Sequence, residues 1–133
     1  MEWTKSLRIL LDTHALIWWA TLNPKLSSKV RKAIADERND VFVSAASAWE
    51  IAIKVRIGKL EWPAHAGSVN AYALDQGFRP LAISLMHAEL AGQLRIAHKD
   101  PFDRVLIVQA QTEEMLVASN DEIFDVGGAR RYW

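Results

Sequence analysis

The sequence predicts an α/β fold with a mostly parallel sheet that is covered by helices on both faces. Short apolar runs rich in β-forming residues alternate along the chain with amphipathic segments. Strands that alternate with helices are joined by right-handed crossovers, which place the strands parallel. The chain has 133 residues, 50% of them apolar, which is enough to fill one core and too few for two. We therefore expect residues 1–133 to form a single domain.

Five strands are expected where apolar and β-branched residues cluster. The first contains Ile9, Leu10 and Leu11 in succession, as a buried strand does. The second follows a polar turn at 36–40, and the last lies in the C-terminal tail. The predicted strands cover 8–11, 41–44, 78–83, 115–119 and the region around 130–133.

Six helices are expected between these strands, and most carry a start or stop signal. Thr13 is a candidate N-cap for the first helix. Gly58 and Gly77 are typical stop signals, and Asp100-Pro101 opens a helix with proline at its first position. The predicted helices cover 13–20, 27–35, 47–57, 63–76, 84–94 and 101–112.

The charge and composition of the chain limit the functions that it can have. Lys plus Arg and Asp plus Glu each number 16, so the net charge is zero, whereas proteins that bind nucleic acid through bulk charge are usually basic. Any nucleic-acid contact must therefore be local or assisted by a cation. The absence of cysteine excludes disulfides and thiolate metal sites, and it is compatible with the cytoplasmic location that we expect. We see no secretory signal after Met1 and no apolar run near the roughly 18 residues of a membrane span.

Four acidic residues stand at positions where parallel α/β sheets bind ligands. Asp12 directly follows the first strand, and Glu50 lies early in the helix after the second. Asp103 lies in the first turn of the helix opened by Pro101, and Asp121 follows the 115–119 strand. Ligands bind beyond the carboxyl ends of such strands, where the strand order reverses. Carboxylates gathered there repel one another, and a hard divalent cation such as Mg²⁺ relieves that repulsion.

Each acid also has a purely structural interpretation. Ser47 and Glu50 match a capping box, Asp100 is able to cap a helix that has Asp103 at its third position, and Asp121 is able to cap a short turn. Glu50 and Asp103, however, align with apolar residues of their own helices, and a carboxylate on a core-facing stripe needs a partner. The coincidence of four acids at strand ends favours the functional interpretation.

Five segments of the chain occur in an order that is typical of one family. They are Leu10–Trp18, Ser44–Lys54, Gly58–Leu60, Asp100–Arg104 and Leu116–Asp121. Together they resemble the PIN-domain ribonucleases, in particular the VapC-like toxins of bacterial toxin–antitoxin pairs. The resemblance covers nearly the whole chain and implies a three-layer α/β/α fold with a small, mostly parallel sheet.

The resemblance implies a metal-dependent endoribonuclease that uses Mg²⁺, with Mn²⁺ as the alternative. Asp12, Glu50 and Asp103 match the three most characteristic acids of the family, and Asp121 matches the fourth, more variable one. Asp100 is a second candidate for the third acid. The resemblance further implies an RNA substrate, a small cognate antitoxin and a homodimer.

The chemistry that these residues support is hydrolysis of an RNA phosphodiester by metal-activated water, with one or two ions held by the acids. The four histidines lack metal-ligand spacing and are interpreted as core or surface residues. The stretch Leu16–Trp19 is interpreted either as core or as a groove for an antitoxin helix. Five cations are candidates for phosphate contact, although a solvated surface is the commoner role of such residues: Lys54, Arg56, Lys59, Lys99 and Arg104.

Two other classes of function compete with the nuclease hypothesis. A receiver-type signalling domain also binds Mg²⁺ at strand ends, but it needs paired acids after the first strand and a lysine after a late one. This chain has Asp12 alone and no lysine in 116–121. A phosphatase with an Asp-x-Asp motif is excluded because His14 occupies the second acidic position. A non-catalytic interaction module with the same fold stays open.

Overall fold

The structure, a computed structural model, describes residues 6–133 and contains a five-stranded parallel sheet. Its strands are β1 Arg8–Leu11, β2 Asp40–Ser44, β3 Arg79–Leu81, β4 Leu116–Ala118 and β5 Arg130–Tyr132. The strand order is β3-β2-β1-β4-β5, and every neighbouring pair is parallel. The predicted α/β class with a small parallel sheet is thus confirmed.

Helices occupy the intervals between the strands, mostly where the sequence predicts them. They are α1 Thr13–Ala20, α2 Ser28–Ala35, α3 Ala45–Arg56, α4 Val69–Asp75, α5 Leu85–Gln93, α6 Pro101–Thr112 and α7 Ile123–Val126, with a 3-10 turn at Ala64–Ala66. The single helix expected over 63–76 is instead two pieces. Gly67 adopts a φ of 71°, in the left-handed region, and this breaks the helix. The short helix α7 was not predicted from the sequence.

The two faces of the sheet bury separate apolar layers because side chains alternate along each strand. Ile9 and Leu11 of β1 enter one layer, while Leu10 enters the other, and all three are fully buried. Helices α1, α2 and α4 cover the first face, through residues that include Leu16, Val30 and Ala73. Helices α6 and α7 cover the second, through residues that include Leu106, Ile107 and Phe124. The arrangement is the expected three-layer α/β/α sandwich.

Helix α3 starts earlier than predicted because β2 runs into it without a loop. The strand ends at Ser44 and the helix begins at Ala45, with the Ser44 hydroxyl accepting a hydrogen bond from the Ala46 amide (3.0 Å). Ser44 is therefore the N-cap, and the capping-box interpretation of Ser47 and Glu50 is wrong. Both residues lie within the helix and are buried, so their side chains are available to a site rather than to the helix end.

The strand order reverses between β1 and β4, and this places the crevice at which a ligand is expected. The chain builds outward from β1 to β2 and β3, then returns to the opposite side of β1 with β4. Leu11 is in register with Val43 on one side and Ala118 on the other. The Asp12 amide extends this register by donating to the Ala118 carbonyl (3.1 Å). Asp12 thus lies at the switch point.

In the part of the chain that the structure describes, no helix combines the length and the apolar character that a membrane crossing requires. Residues 1–5, to which the expectation of no secretory signal refers, lie outside the described residues.

Candidate active site

Asp12 is buried at the junction of β1 and α1. It is 4% exposed, and its Oδ1 accepts a hydrogen bond from the Ala15 amide (2.7 Å). Asp12 is therefore the N-cap of α1, whereas the sequence suggested Thr13, which is instead the first helical residue. The carboxylate satisfies one otherwise unpaired helical amide. This role fixes its orientation at the carboxyl edge of the sheet.

Glu50 is buried against Thr13, the residue that follows Asp12, and both of its oxygens have partners. Thr13 Oγ1 donates to Glu50 Oε1 at 2.6 Å, and Lys54 Nζ donates to Glu50 Oε2 at 2.6 Å. Thr13 Oγ1 also lies 3.1 Å from Ser47 Oγ. A carboxylate only accepts, so the single Thr13 proton is committed to Glu50. The contact joins the start of α1 to the middle of α3, and it explains how a nearly inaccessible carboxylate (5% exposed) is tolerated.

Asp103 lies in the first turn of α6 with two polar neighbours. Its Oδ2 is 2.8 Å from His98 Nε2, and both side chains are half-buried. Asp100 caps the same helix, because its Oδ1 accepts from the amides of Phe102 (2.9 Å) and Asp103 (3.1 Å). The potential ligand atoms of His98, Asp100 and Asp103 lie within 4.8 Å of one another. The capping interpretation of Asp100 is therefore confirmed, and Asp100 also adds negative charge beside Asp103.

Asp103 lies near enough to Asp12 and to Glu50 for their charges to shift pKa values, and we call the region of these three side chains the acidic pocket. Burial raises the pKa of Asp12 from 3.8 to about 6, although the Ser119 hydroxyl and the Ala15 amide lower it, and the charge of Asp103 raises it further. Burial also raises the pKa of Asp103; His98 opposes this effect, while the charges of Asp100 and Glu50 add to it. Asp103 therefore interacts with Asp12 and with Glu50. Three acids distant in sequence thus lie near one another at the carboxyl edge of the sheet, and their assignment as metal ligands stays a prediction.

Asp121 is linked to the acidic pocket only indirectly, through Ser119, whose hydroxyl also hydrogen-bonds to the Asp12 carboxylate. It is exposed, its amide donates to Ser119 Oγ (3.0 Å), and its Oδ1 accepts from the Ile123 amide (3.0 Å). It lines an open surface cavity with residues that include His14 and Lys25. These contacts match the turn-capping interpretation of Asp121. Its assignment as a fourth metal ligand stays a prediction.

The cations suggested for phosphate contact fall into three groups. Arg104 is committed to backbone carbonyls, so it is a structural residue. Lys54 is partly exposed and pairs with Glu50 at the pocket. The remaining three are exposed on the surface and are compatible with either solvation or substrate contact: Arg56, Lys59 and Lys99.

His98 and Thr13 are the polar residues of the pocket that sequence reasoning missed. The four histidines show no metal-ligand spacing among themselves, so the sequence does not single out His98. Its position two residues before Asp100 and five before Asp103 is the available signal. The sequence presents Thr13 as a helix cap, and no local pattern indicates that its hydroxyl reaches Glu50 of α3, 37 residues away in sequence.

The tryptophans at the end of α1 are half-buried by contacts within the chain. Trp18 lies against Trp133 with ring centroids 5.9 Å apart, and Trp19 Nε1 donates to Gln76 Oε1 (2.9 Å). Leu16 is a core residue. The most exposed tryptophan among the described residues is instead Trp49, which is 60% exposed and packs edge-on against Phe102 (5.2 Å). The interpretation of Leu16–Trp19 as a groove for an antitoxin helix stays a prediction.

The residues in the pocket fit a hard divalent cation. The donor set consists of carboxylate oxygens, the ligand type that Mg²⁺ and Mn²⁺ prefer. Two of the carboxylates, Asp12 and Asp103, have raised pKa values because they are buried and repel one another or their acidic neighbours. A bound cation offsets both effects. Asp12, Glu50 and Asp103 are the residues that would hold it.

Comparisons with known proteins agree with this geometry. A family model described as the PIN domain matches residues 9–128. Ribonuclease VapC16 of Mycobacterium tuberculosis (strain ATCC 25618 / H37Rv) is 38% identical over 73 residues, which cover 49% of this chain and 50% of that protein. The chain thus spans about half the length of this curated relative.

Solved structures share the fold at low sequence identity. The DNA-bound VapBC of Salmonella typhimurium matches with a TM-score of 0.69 and 18% identity, covering 95% of this chain and 97% of the matched chain. VapC20 of Mycobacterium tuberculosis, a toxin that cleaves the sarcin-ricin loop, matches with a TM-score of 0.63 and 16% identity, covering 93% and 98%. Since the family model spans almost the whole described chain, the protein belongs to the PIN-domain family.

Proposed function

We propose that this chain is a Mg²⁺-dependent endoribonuclease and the toxin component of a toxin–antitoxin pair. One observation supports this proposal most. Asp12 and Glu50 are buried, and Asp103 is half-buried, in the acidic pocket at the switch point of a parallel sheet. Burial of several carboxylates is costly unless a cation compensates it. Membership of the PIN-domain family and the likeness to a VapC ribonuclease support the same conclusion.

In the proposed mechanism the chain supplies the cation site and positions the RNA. When bound, Mg²⁺ would lower the pKa of a water molecule and offset negative charge on the scissile phosphate. Asp12 and Asp103 hold carboxylates toward the pocket, and Thr13 orients Glu50 through its 2.6 Å hydrogen bond. Lys54, at the edge of the pocket, provides positive charge where a substrate phosphate approaches. Asp121 is proposed as a further ligand that acts from the neighbouring loop.

We further propose a protein antitoxin and a homodimer as the assemblies of this chain. Solved relatives include VapBC2 of Rickettsia felis and FitAB, each bound to a DNA fragment. Several large apolar side chains are exposed here, among them Trp49 (60%) and Leu85 (93%). Contiguous patches of such groups mark protein interfaces, and we propose that some of these side chains contribute to one. Coexpression with the product of an adjacent small gene, followed by size-exclusion chromatography, tests this proposal.

The direct test of the proposed function is RNA cleavage by the purified chain, free of any partner protein. Ribosomal RNA and tRNA are incubated with the chain in Mg²⁺, and in EDTA. We expect discrete products in Mg²⁺ only, and none from Asp12→Asn. Asp75→Asn is the matched control, since Asp75 is exposed at the end of α4, at the opposite edge of the sheet.

The outcomes of this test separate the competing functions. Products that form equally in EDTA contradict the metal-dependent mechanism. The absence of cleavage with every RNA, together with intact partner binding by Asp12→Asn, supports a non-catalytic interaction module instead. The receiver-type alternative is disfavoured by the family match.

A further inference from the structure

Arg104 has every one of its guanidinium N–H groups engaged by backbone. Nε donates to the Ala91 carbonyl (2.9 Å), and Nη1 and Nη2 each donate to two more. The guanidinium carries five N–H donors, and five carbonyls accept from it. The other four acceptors are the carbonyls of Gly92 (3.4 Å), Leu94 (2.6 Å), Ile96 (3.3 Å) and His98 (2.9 Å).

These carbonyls belong to the end of α5 and to the connection that leads into α6. Residues 94–99 form neither helix nor strand, so their carbonyls have no partner within a helix or the sheet. The last carbonyls of α5 are likewise unpaired within the helix. One arginine from α6 therefore replaces the hydrogen bonds that the segment does not make for itself. Its side chain fixes the path of the connection.

The connection delivers His98 to the acidic pocket. Arg104 Nη1 binds the His98 carbonyl directly, and His98 Nε2 lies 2.8 Å from Asp103 Oδ2. Asp103 and Arg104 are consecutive in α6, so the residue that fixes the His98 backbone adjoins the residue that the His98 ring contacts. Arg104, His98 and Asp103 thus join α6, the connection and the acidic pocket through direct contacts.

We propose that Arg104 and His98 are positioning residues that orient Asp103 for the cation. This proposal rests on the proposed function. The imidazole donates from Nε2 to Oδ2 and leaves Oδ1 of Asp103 as the ligand atom. A ligating carboxylate whose second oxygen is hydrogen-bonded keeps its orientation, and loss of such a partner typically lowers metal affinity about 10–100-fold. Arg104 acts one step further away, by holding His98 in reach.

The test is Mn²⁺ binding to the full chain, measured by isothermal titration calorimetry in the absence of RNA. We expect His98→Ala to weaken Mn²⁺ binding about 10–100-fold. His98→Gln keeps an N–H donor near the position of Nε2, so we expect binding within about 3-fold of the original protein. This rescue distinguishes positioning from a general structural role.

Arg104 is tested in the same way with its own control. Arg104→Lys retains the charge but loses the planar set of donors, and we expect it to weaken Mn²⁺ binding as His98→Ala does. The double variant is expected to be no weaker than Arg104→Lys, because the two residues act through one contact. Arg95→Lys, in the same connection and exposed, is expected to bind as the original protein does. Circular dichroism confirms that each variant is folded.

The inference is overturned if folded His98→Ala binds Mn²⁺ as tightly as the original chain. It is also overturned if His98→Gln is as weak as His98→Ala, because the ring nitrogen is then itself a ligand. If the original chain binds no Mn²⁺, the metal-dependent function fails together with the inference. Normal Mn²⁺ binding that is insensitive to His98 leaves the proposed function intact.

Discussion

Asp12 and Asp121 follow adjacent parallel strands at the same edge of the sheet, yet they differ in environment. Both accept a hydrogen bond from an amide of the following turn, at 2.7 Å and 3.0 Å. Asp12 is 4% exposed with a pKa near 6, whereas Asp121 is exposed. The topological position of an acid therefore brings it to the ligand-binding edge. Burial decides whether that acid requires a compensating charge.

The largest expected effect of this difference is on RNA cleavage. Asp12→Asn keeps the Oδ1 that caps α1 but removes a proposed direct ligand. Loss of a group that hydrogen-bonds to a metal ligand typically lowers metal affinity or activity about 10–100-fold. Loss of the ligand itself is therefore expected to lower the Mg²⁺-dependent rate at least about 100-fold. Asp121→Asn is expected to lose about 10-fold, at the lower end of that range, because Asp121 is exposed and is linked to Asp12 only through Ser119. Gel assays of RNA cleavage at saturating Mg²⁺ measure both, and equal losses would remove the distinction between the two acids.

The second effect is on the stability of the metal-free protein. The folded pKa of Asp12, about 6, lies above its unfolded value of 3.8, so the folded state binds this proton more tightly. Stability is highest below about pH 4 with respect to this group and is lost as the pH rises through 6. In EDTA at pH 7.5, Asp12→Asn is therefore expected to stabilise the protein by about 3 kcal/mol.

Urea denaturation at several pH values checks this sign. The gain from Asp12→Asn should shrink as the pH is lowered from 7.5 toward 4, and Mg²⁺ should stabilise the original chain but not the variant. Destabilisation by Asp12→Asn at pH 7.5 in EDTA would show that the ionised carboxylate is stabilising, contrary to the account.

A smaller effect is expected from the hydroxyl that supports Glu50. Thr13→Val keeps the side-chain shape but leaves Glu50 Oε1 without its donor. Loss of a hydrogen bond to a buried charge costs about 1.5–3 kcal/mol, and chemical denaturation measures it. Thr13→Ser retains the hydroxyl and is the control; a Thr13→Val protein as stable as the original would indicate that Lys54 alone compensates Glu50.

The smallest effect is expected at the exposed acid. Asp121→Ala removes the acceptor for the Ile123 amide at the start of α7. Loss of a single hydrogen bond costs about 0.5–1.5 kcal/mol, and we expect the lower half of that range because Asp121 is exposed. Thermal denaturation in EDTA measures it. A loss above that range would indicate that Asp121 contributes to the pocket.

The fold could be predicted because its signals are local. The alternation of apolar strands such as Ile9–Leu11 with capped helices specifies the layers, and the parallel topology then brings Asp12 and Glu50 to one edge. The 63–76 segment was less predictable, because the break at Gly67 depends on one backbone conformation. The four-residue helix α7 is too short for a periodic signal.

The sequence predicts the acids of the candidate site, but it does not predict the residues that hydrogen-bond to them. Asp12 and Asp103 stand at positions that the strand and helix boundaries identify. The contacts of Thr13 with Glu50 and of Arg104 with the 91–98 carbonyls depend on how α1, α3, α5 and α6 pack. Arg104 in particular has the sequence character of a phosphate ligand, and only its surroundings show that it is structural.

The most direct measurement is the anomalous scattering of Mn²⁺ in crystals of the full chain. We expect one peak in the acidic pocket, with carboxylate oxygens of Asp12 and Asp103 within about 2.5 Å and Glu50 bound directly or through water. A peak held at Asp121 but not at Asp12, or no peak near Asp12 at saturating Mn²⁺, would contradict it.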